Sequence, residues 1–132
     1  MSEVKRELWY TDEHEWVQRT VDGTLRIGIT DFAQHQLGDI VFVELPGAGA
    51  TIEQGAEIGT IESVKTVSDL FAPVAGTVLK VNEALESTPE LVNESPYEKG
   101  WMIEVEMGND VEEALSKLLS ADQYEKLISD EQ

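Results

Sequence analysis

Apolar residues in this chain recur in short runs, many of them on alternate positions, and turn-forming residues separate the runs. Leu25–Ile29 shows the alternation, and the Asp-Gly pair just before it is typical of a hairpin turn. Alternation with period two places successive side chains on opposite faces of a sheet, so the runs are predicted β-strands. Short strands at this spacing predict an all-β sandwich or a flattened barrel. The runs interpreted as strands include Leu8–Tyr10, Glu15–Arg19, Leu25–Ile29, Ile40–Leu45, Glu57–Ile61, Val67–Phe71 and Trp101–Glu106.

One short helix is predicted inside the strand-rich region. Thr30 can cap a helix over Asp31–Gln36, because its side chain can accept a bond from a free backbone N–H of the first turn. Gly38 can end this helix, since glycine adopts the left-handed backbone that often follows a helix. Farther along, Ser87–Lys99 contains two prolines and an asparagine and is interpreted as a loop.

The C-terminal part of the chain changes to a helical period. Asp110 with Glu113 has the spacing of a capping box before one apolar helical face, and Ser120 with Gln123 repeats the signature before another. These helices are expected to cover the sheet rather than to perform chemistry.

Length and composition favour one acidic domain. The 132 residues can bury a real core, predicted as a β core over about 8–106 followed by a helical segment over about 110–129. A net charge of −18 argues against nucleic acid and anionic membranes as partners. The start of the chain matches neither a signal nor a transit peptide, so a cytoplasmic protein is expected. The chain has no cysteine, and any redox-active sulfur must therefore come from a cofactor.

Lys65 is the residue whose position most favours a chemical role. It lies between the predicted strands Glu57–Ile61 and Val67–Phe71, so it should stand at or near a hairpin tip. The chain contains nine lysines and arginines and 27 aspartates and glutamates. In so acidic a chain, a lysine presented on a turn is a candidate for covalent modification. The simpler alternative is a solvated surface lysine, because turns are usually exposed and polar.

The kind of chemistry open to Lys65 depends on its neighbours. A Schiff-base or general-base lysine needs desolvation or nearby cations to free its amine of the proton. Here Glu62 and Asp69 are close in sequence and favour the ammonium form, so Lys65 should be a poor nucleophile at rest. Such an amine reacts when another enzyme brings an activated acyl donor, and the attached group then carries the chemistry.

Several segments in a fixed order carry a resemblance that covers nearly the whole chain. The segments are His14–Val17, Gly28–Gln34, Leu37–Pro46, Glu62–Lys65, Pro89–Asn93 and Ser95–Met102. Together they closely resemble the H proteins of the glycine cleavage system, which are lipoyl carriers. The resemblance implies a mainly β, lipoyl/biotinyl-like fold of two antiparallel sheets, with a short internal helix and C-terminal helices.

The resemblance also implies the site residues. Lys65 would carry a covalently attached lipoyl group. Glu15 and Asp69 match family positions associated with a cleft for the aminomethyl group, which is cationic near neutral pH and would suit an anionic pocket. Ordinary solvated acids are the alternative for both positions. The residues recognised around the lysine turn would be Glu62, Ser63 and Val64.

As the resemblance implies, the protein would be a shuttle and not an enzyme, with no catalytic residue of its own. It would carry an aminomethyl group from a PLP-dependent glycine decarboxylase to a tetrahydrofolate-dependent aminomethyltransferase. It would then carry electrons to a dihydrolipoyl dehydrogenase, and lipoate-attaching enzymes would be further partners. No metal site is expected, because His14 and His35 lie in no metal-binding motif.

Other interpretations stay open at this point. A lipoyl domain of a 2-oxoacid dehydrogenase would usually be joined to a catalytic core by a Pro/Ala-rich linker and carry Asp-Lys-Ala at its turn, whereas this chain has Val-Lys-Thr. A biotinyl carrier would flank the lysine with methionines, which are absent here. An unmodified acidic interaction domain and a protein that relays lipoyl groups to other enzymes are the remaining alternatives.

Overall fold

The computed structural model describes residues 2–108 and 110–131, in which nine strands and five helices occur. The strands are β1 (Trp9–Tyr10), β2 (Glu15–Arg19), β3 (Leu25–Ile29), β4 (Ile40–Glu44), β5 (Thr51–Ile52), β6 (Glu57–Ser63), β7 (Val67–Phe71), β8 (Gly76–Val81) and β9 (Ile103–Glu106). The helices are α1 (Asp31–Leu37), α2 (Ala84–Ser87), α3 (Leu91–Glu94), α4 (Val111–Ser116) and α5 (Ala121–Glu131).

The strands form two separate antiparallel sheets. Six strands lie in the order β1-β2-β3-β9-β8-β5, and three lie in the order β4-β6-β7. The sheets do not close on each other, so the prediction of a two-sheet fold is confirmed in its sandwich form and not as a closed barrel.

The hydrophobic core lies where the two sheets meet. Ile27 and Val105 of the larger sheet are fully buried and pack in one cluster with Val74, which follows the smaller sheet. A second cluster joins Ile29 of the larger sheet to Ile61 of the smaller. The apolar alternation along each strand therefore faces inward, as the period-two pattern requires.

The short helix α1 begins and ends as predicted. Thr30 Oγ1 accepts a hydrogen bond from Ala33 N at 3.2 Å. Gly38 has a left-handed φ of 84°, and its N–H donates to the Gln34 carbonyl at 3.0 Å. The helix starts directly after β3, so these local signals fix where the chain turns from the larger sheet towards the smaller.

The prediction that Ser87–Lys99 is a loop is wrong in part, because the one-turn helix α3 lies inside this region and the one-turn helix α2 ends at its first residue. Each buries one apolar side chain, Leu85 in α2 and Val92 in α3. Single turns are unstable alone and need tertiary packing, which a periodicity argument does not detect.

The C-terminal caps follow the sequence in one case and depart from it in the other. Ser120 and Gln123 form the predicted reciprocal cap, with Ser120 N donating to Gln123 Oε1 at 2.9 Å and Gln123 N donating to Ser120 Oγ at 3.2 Å. Asp110 does not cap α4 with its side chain, contrary to prediction. Its backbone is left-handed, with φ 62°, whereas a capping residue is normally extended.

Helix α5 packs against the start of the chain. The rings of Tyr124 and Tyr10 are stacked with centroids 4.5 Å apart, and Leu119 exchanges backbone hydrogen bonds with Tyr10 at 2.7 and 2.8 Å. The helical segment is thus attached to the edge strand β1, beside the turn that leads into β2.

Candidate functional site

Lys65 lies in the tight turn between β6 and β7, as predicted, and its side chain is exposed. Ser63 N donates to the Thr66 carbonyl at 2.8 Å and closes the turn. The Ser63 hydroxyl accepts bonds from Lys65 N at 3.3 Å and from Thr66 N at 3.1 Å. Ser63 therefore shapes the turn from inside, whereas Val64, 70% exposed, faces solvent beside the lysine.

The lysine turn rests on the segment that follows α1. Val64 N donates to the Asp39 carbonyl at 3.0 Å. The Lys65 stem lies over Gly38, so close that a Cβ added at this glycine would be 3.5 Å from Lys65 Cε. The absence of a side chain at Gly38 leaves the surface open beneath the stem.

A cleft of about 100 Å³ begins at this end of α1. Helix α1 contributes Gln36 and Leu37, the two residues that precede Gly38. The facing walls come from β2 and its preceding turn, from β6 and from β7, and the residues of those walls include Glu13, His14, Glu15, Ile61, Ser68 and Asp69. The cleft therefore contains both acids predicted from the sequence, Glu15 and Asp69, and lies next to the lysine stem.

Glu15 is the buried acid of this cleft, with 2% of its surface exposed. Its carboxylate accepts a bond from the Thr11 hydroxyl at 3.0 Å and one from Phe71 N at 2.9 Å. Burial raises the pKa of Glu15 to about 7, although the bonds from Phe71 and Thr11 act in the opposite direction. Because Phe71 belongs to β7, this side chain also joins β2 of the larger sheet to the edge of the smaller sheet.

Asp69 has a different environment from Glu15, since its side chain is exposed. It lies opposite Thr60, which is paired in turn with Glu44, on the face of the small sheet that does not enter the core. A hydrogen bond that the protonated Glu57 donates to the Asp69 carboxylate, together with the negative charge of Asp69, raises the pKa of Glu57. The structure thus places both acids among the residues that line one cleft. Glu15 also lines a neighbouring cleft of about 280 Å³, to which its hydrogen-bond partners Thr11 and Phe71 belong.

The turn that carries Glu15 is held by helix α5. His14 has a left-handed φ of 68°, which is unusual for a residue with a side chain. Its Nδ1 lies 2.8 Å from the Tyr124 hydroxyl, which also lies 2.7 Å from Thr30 Oγ1. The helical period of the C-terminal segment places Tyr124, with Leu127 and Ile128, on an apolar face and indicates no role for its hydroxyl. The available signal was its hydroxyl, because a buried tyrosine hydroxyl usually has a hydrogen-bond partner.

The comparisons with known proteins agree with this geometry. A sequence model described as glycine cleavage H-protein matches residues 8–131. The glycine cleavage system H protein of Carboxydothermus hydrogenoformans is 56% identical over 132 residues, covering 99% of this chain and 98% of its own. That of Listeria monocytogenes serotype 4a is 59% identical over 126 residues, covering 95% and 98%. The chain belongs to the glycine cleavage H-protein family.

A solved structure supports the same assignment at the level of the fold. The crystal structure of a glycine cleavage system H protein from Mycobacterium marinum superposes with a TM-score of 0.83 at 37% identity, covering 96% of this chain and 99% of that one. The family resemblance read from the sequence is confirmed, as are the two-sheet fold and the function of the H-protein family as lipoyl-bearing carriers of the glycine cleavage system. H proteins are carrier subunits and not catalysts.

An exposed apolar patch surrounds the lysine turn of this H-protein chain, and sequence reasoning did not anticipate it. Phe42 of β4, Glu62 of β6 and Val67 of β7 are paired across the three strands. Phe42 is 50% exposed and Val67 is 59% exposed. A register shift between Ile40 and Phe42 leaves Val41 exposed as well, as an inserted bulge residue does. Exposed apolar side chains next to a candidate modification site are typical of a surface that binds partners.

Two further clefts do not include the residues of the lysine turn. One of about 280 Å³ shares Glu13 and Glu15 with the cleft described above. Another of about 770 Å³ lies between the β4–β5 connection and the region around Lys80 and Trp101. Within residues 2–108 and 110–131, no group of three or more His, Cys, Asp or Glu residues could hold a metal ion. No helix in that part of the chain combines the length and the apolar character needed to cross a membrane.

Proposed function

We propose that Lys65 carries a covalently attached lipoyl group, through which this H-protein chain shuttles an aminomethyl group and then electrons. The observation that carries the proposal is the position of Lys65. It lies on an exposed turn, with its stem over Gly38, which directly follows Gln36 and Leu37 of the cleft that Glu15 and Asp69 also line. The dithiolane of a lipoyl group supplies the sulfur that accepts the aminomethyl group and the electrons.

The residues around the lysine fit such a group. The turn is closed from inside by Ser63, so Lys65 can be acylated without disturbing the sheet. Val64 is exposed and Glu62 is half-buried beside the lysine, and both are available to a lipoate-attaching enzyme. We propose that recognition uses these two side chains directly and Ser63 indirectly, through the shape of the turn.

The cleft fits a cationic aminomethyl nitrogen. A cation that enters would favour the ionised form of Glu15, whose pKa of about 7 leaves it only partly ionised at neutral pH. Asp69 lies at the outer border of the same cleft and adds a second negative charge. Together the two acids would hold the amine and limit the access of water to it.

The proposed partners follow from the family and from charge. They are a PLP-dependent glycine decarboxylase, a tetrahydrofolate-dependent aminomethyltransferase, dihydrolipoyl dehydrogenase and lipoate-attaching enzymes. With a net charge of −18, the chain would be steered towards basic faces on these enzymes. Since the relatives compared above are bacterial proteins, we propose that the protein acts in the bacterial cytoplasm as one domain, with α5 packed on β1.

The decisive experiment is peptide mass mapping of the protein purified from its native host. A lipoyl adduct is expected on Lys65 and on no other lysine. Lys65→Arg keeps the charge and is expected to abolish both the adduct and glycine cleavage with the partner enzymes. Lys80→Arg is the matched control, because Lys80 is an exposed lysine on β8. A fully active Lys65→Arg variant would show that the carrier group is elsewhere.

A further inference from the structure

Asn93, in the one-turn helix α3, connects three places in the chain through its side chain. Its Oδ1 accepts a bond from Ile40 N at 2.9 Å. Its Nδ2 donates to the Gly38 carbonyl at 2.9 Å and to Gln34 Oε1 at 2.9 Å. Both amide hydrogens and the amide oxygen are therefore used, and they join the end of α1 to the start of β4.

The segment held in this way is the support of the lysine turn. Gly38 lies under the Lys65 stem, and the Asp39 carbonyl accepts the bond from Val64 N. Asn93 holds Gly38 and Ile40, the residues on either side of Asp39. The carbonyl that accepts from Val64 is thus placed between two residues fixed by one side chain.

We propose that Asn93 is a positioning residue for Lys65, which fixes the 38–40 segment and so sets how the lysine is presented to the enzyme that acylates it. The effect of Asn93 on attachment of the lipoyl group rests on the proposed function. Its structural part, the control of the Val64–Asp39 contact, holds for the unmodified chain. Loss of the Asn93 side chain would leave Ile40 N and the Gly38 carbonyl without this partner, and the support of the turn would loosen.

The chain offers a close control for a purely structural role. Asn82 also makes three hydrogen bonds with its side chain, donating to the Lys99 carbonyl at 2.8 Å and the Trp101 carbonyl at 2.7 Å and accepting from Ala84 N at 3.3 Å. None of these partners belongs to the lysine turn or its supporting segment. Asn82→Ala therefore removes the same chemical groups from another part of the fold.

The experiment compares Asn93→Ala, Asn93→Asp and Asn82→Ala in the full chain. Asn93→Asp loses little packing, because aspartate has nearly the same shape as asparagine. It keeps an acceptor for Ile40 N but removes both donor bonds. The first measurement is amide hydrogen exchange by NMR at Val64, with Ile27 of the core as the reference for global stability. The second is kcat and KM for lipoylation of the unmodified protein by a purified lipoate-attaching enzyme supplied with lipoate and ATP.

In both Asn93 variants, Val64 exchange is expected to rise about tenfold more than exchange at Ile27, the effect of losing one hydrogen bond. The kcat/KM for lipoylation is expected to fall by a similar factor of about ten. Asn82→Ala should destabilise the protein without a selective change at Val64 and without a loss of lipoylation beyond about twofold.

Two results would overturn the proposal. One is Val64 exchange that follows global stability in all three variants, because Asn93 would then be an ordinary structural residue. The other is selective loosening of Val64 with lipoylation unchanged. A failure of the proposed function gives a different result, because the wild-type protein would then accept no lipoyl group. The exchange measurement would still show whether Asn93 holds the turn.

Discussion

Glu15→Gln tests whether burial of the Glu15 carboxylate between β2 and the end of β7 makes stability depend on pH. Burial raises the pKa of Glu15 from its ordinary value of 4.5 to about 7. The folded protein therefore binds a proton at Glu15 more tightly than the unfolded chain does. The stabilisation that results is fully present below about pH 4.5 and is lost as the pH rises through about 7.

The magnitude follows from the size of the shift. Each unit of pKa difference corresponds to about 1.4 kcal/mol, so the shift of Glu15 contributes about 3 kcal/mol to the change in stability with pH. Glutamine cannot ionise and lacks this contribution. Its amide oxygen can still accept the bond from Phe71 N, while its NH2 group replaces the oxygen that accepts from Thr11. The variant is therefore expected to fold.

The assay is urea unfolding, followed by the fluorescence of the three tryptophans, at a series of pH values from about 4.5 to 8. From the lower to the higher end, the free energy of unfolding of the wild type is expected to fall by about 3 kcal/mol more than that of Glu15→Gln. Glu53→Gln is the control, because Glu53 is an exposed acid that is not among the groups that raise the pKa of Glu15. A difference between wild type and Glu15→Gln that is constant over this pH range would refute the reasoning.

Three further predictions concern the proposed carrier role. Association with the aminomethyltransferase should weaken as ionic strength rises, because salt screens the net charge of −18. Calorimetry over a series of salt concentrations measures the Kd. A Kd that does not change with salt would show that apolar contacts dominate the association. Asp69→Asn should speed spontaneous formaldehyde release from aminomethyl-loaded protein, whereas Glu44→Gln on the same sheet face should not; equal rates would remove Asp69 from the protective cleft. Phe42→Ser should raise the Kd for partner enzymes by about tenfold, because the apolar ring would no longer be buried in the complex. Val21→Ser, at the β2–β3 turn, is the control. An equal rise in Kd for both variants would contradict a specific binding patch around the lysine turn.

The sequence alone determined the features that depend on neighbouring residues. The strands β2 and β3 lie at the predicted residues, and the Thr30 cap and the Gly38 terminus of α1 were predicted correctly. Lys65 was placed on its turn by the same local reasoning. Alternation, capping and turn preference act over a few residues, so a single sequence contains the information needed to predict them.

Other features depend on residues far apart in the chain and could be seen only in the tertiary structure. The raised pKa of Glu15 requires its burial in the assembled fold, and Phe71, its hydrogen-bond partner, is 56 positions away. Asn93 reaches Ile40 across 53 positions. Burial and side-chain hydrogen bonds of this kind arise when elements distant in sequence meet in space, and no local pattern of apolar and polar residues specifies those meetings. The sequence determined which lysine is presented, and the packing of the two sheets with α1 and α3 decided what surrounds it.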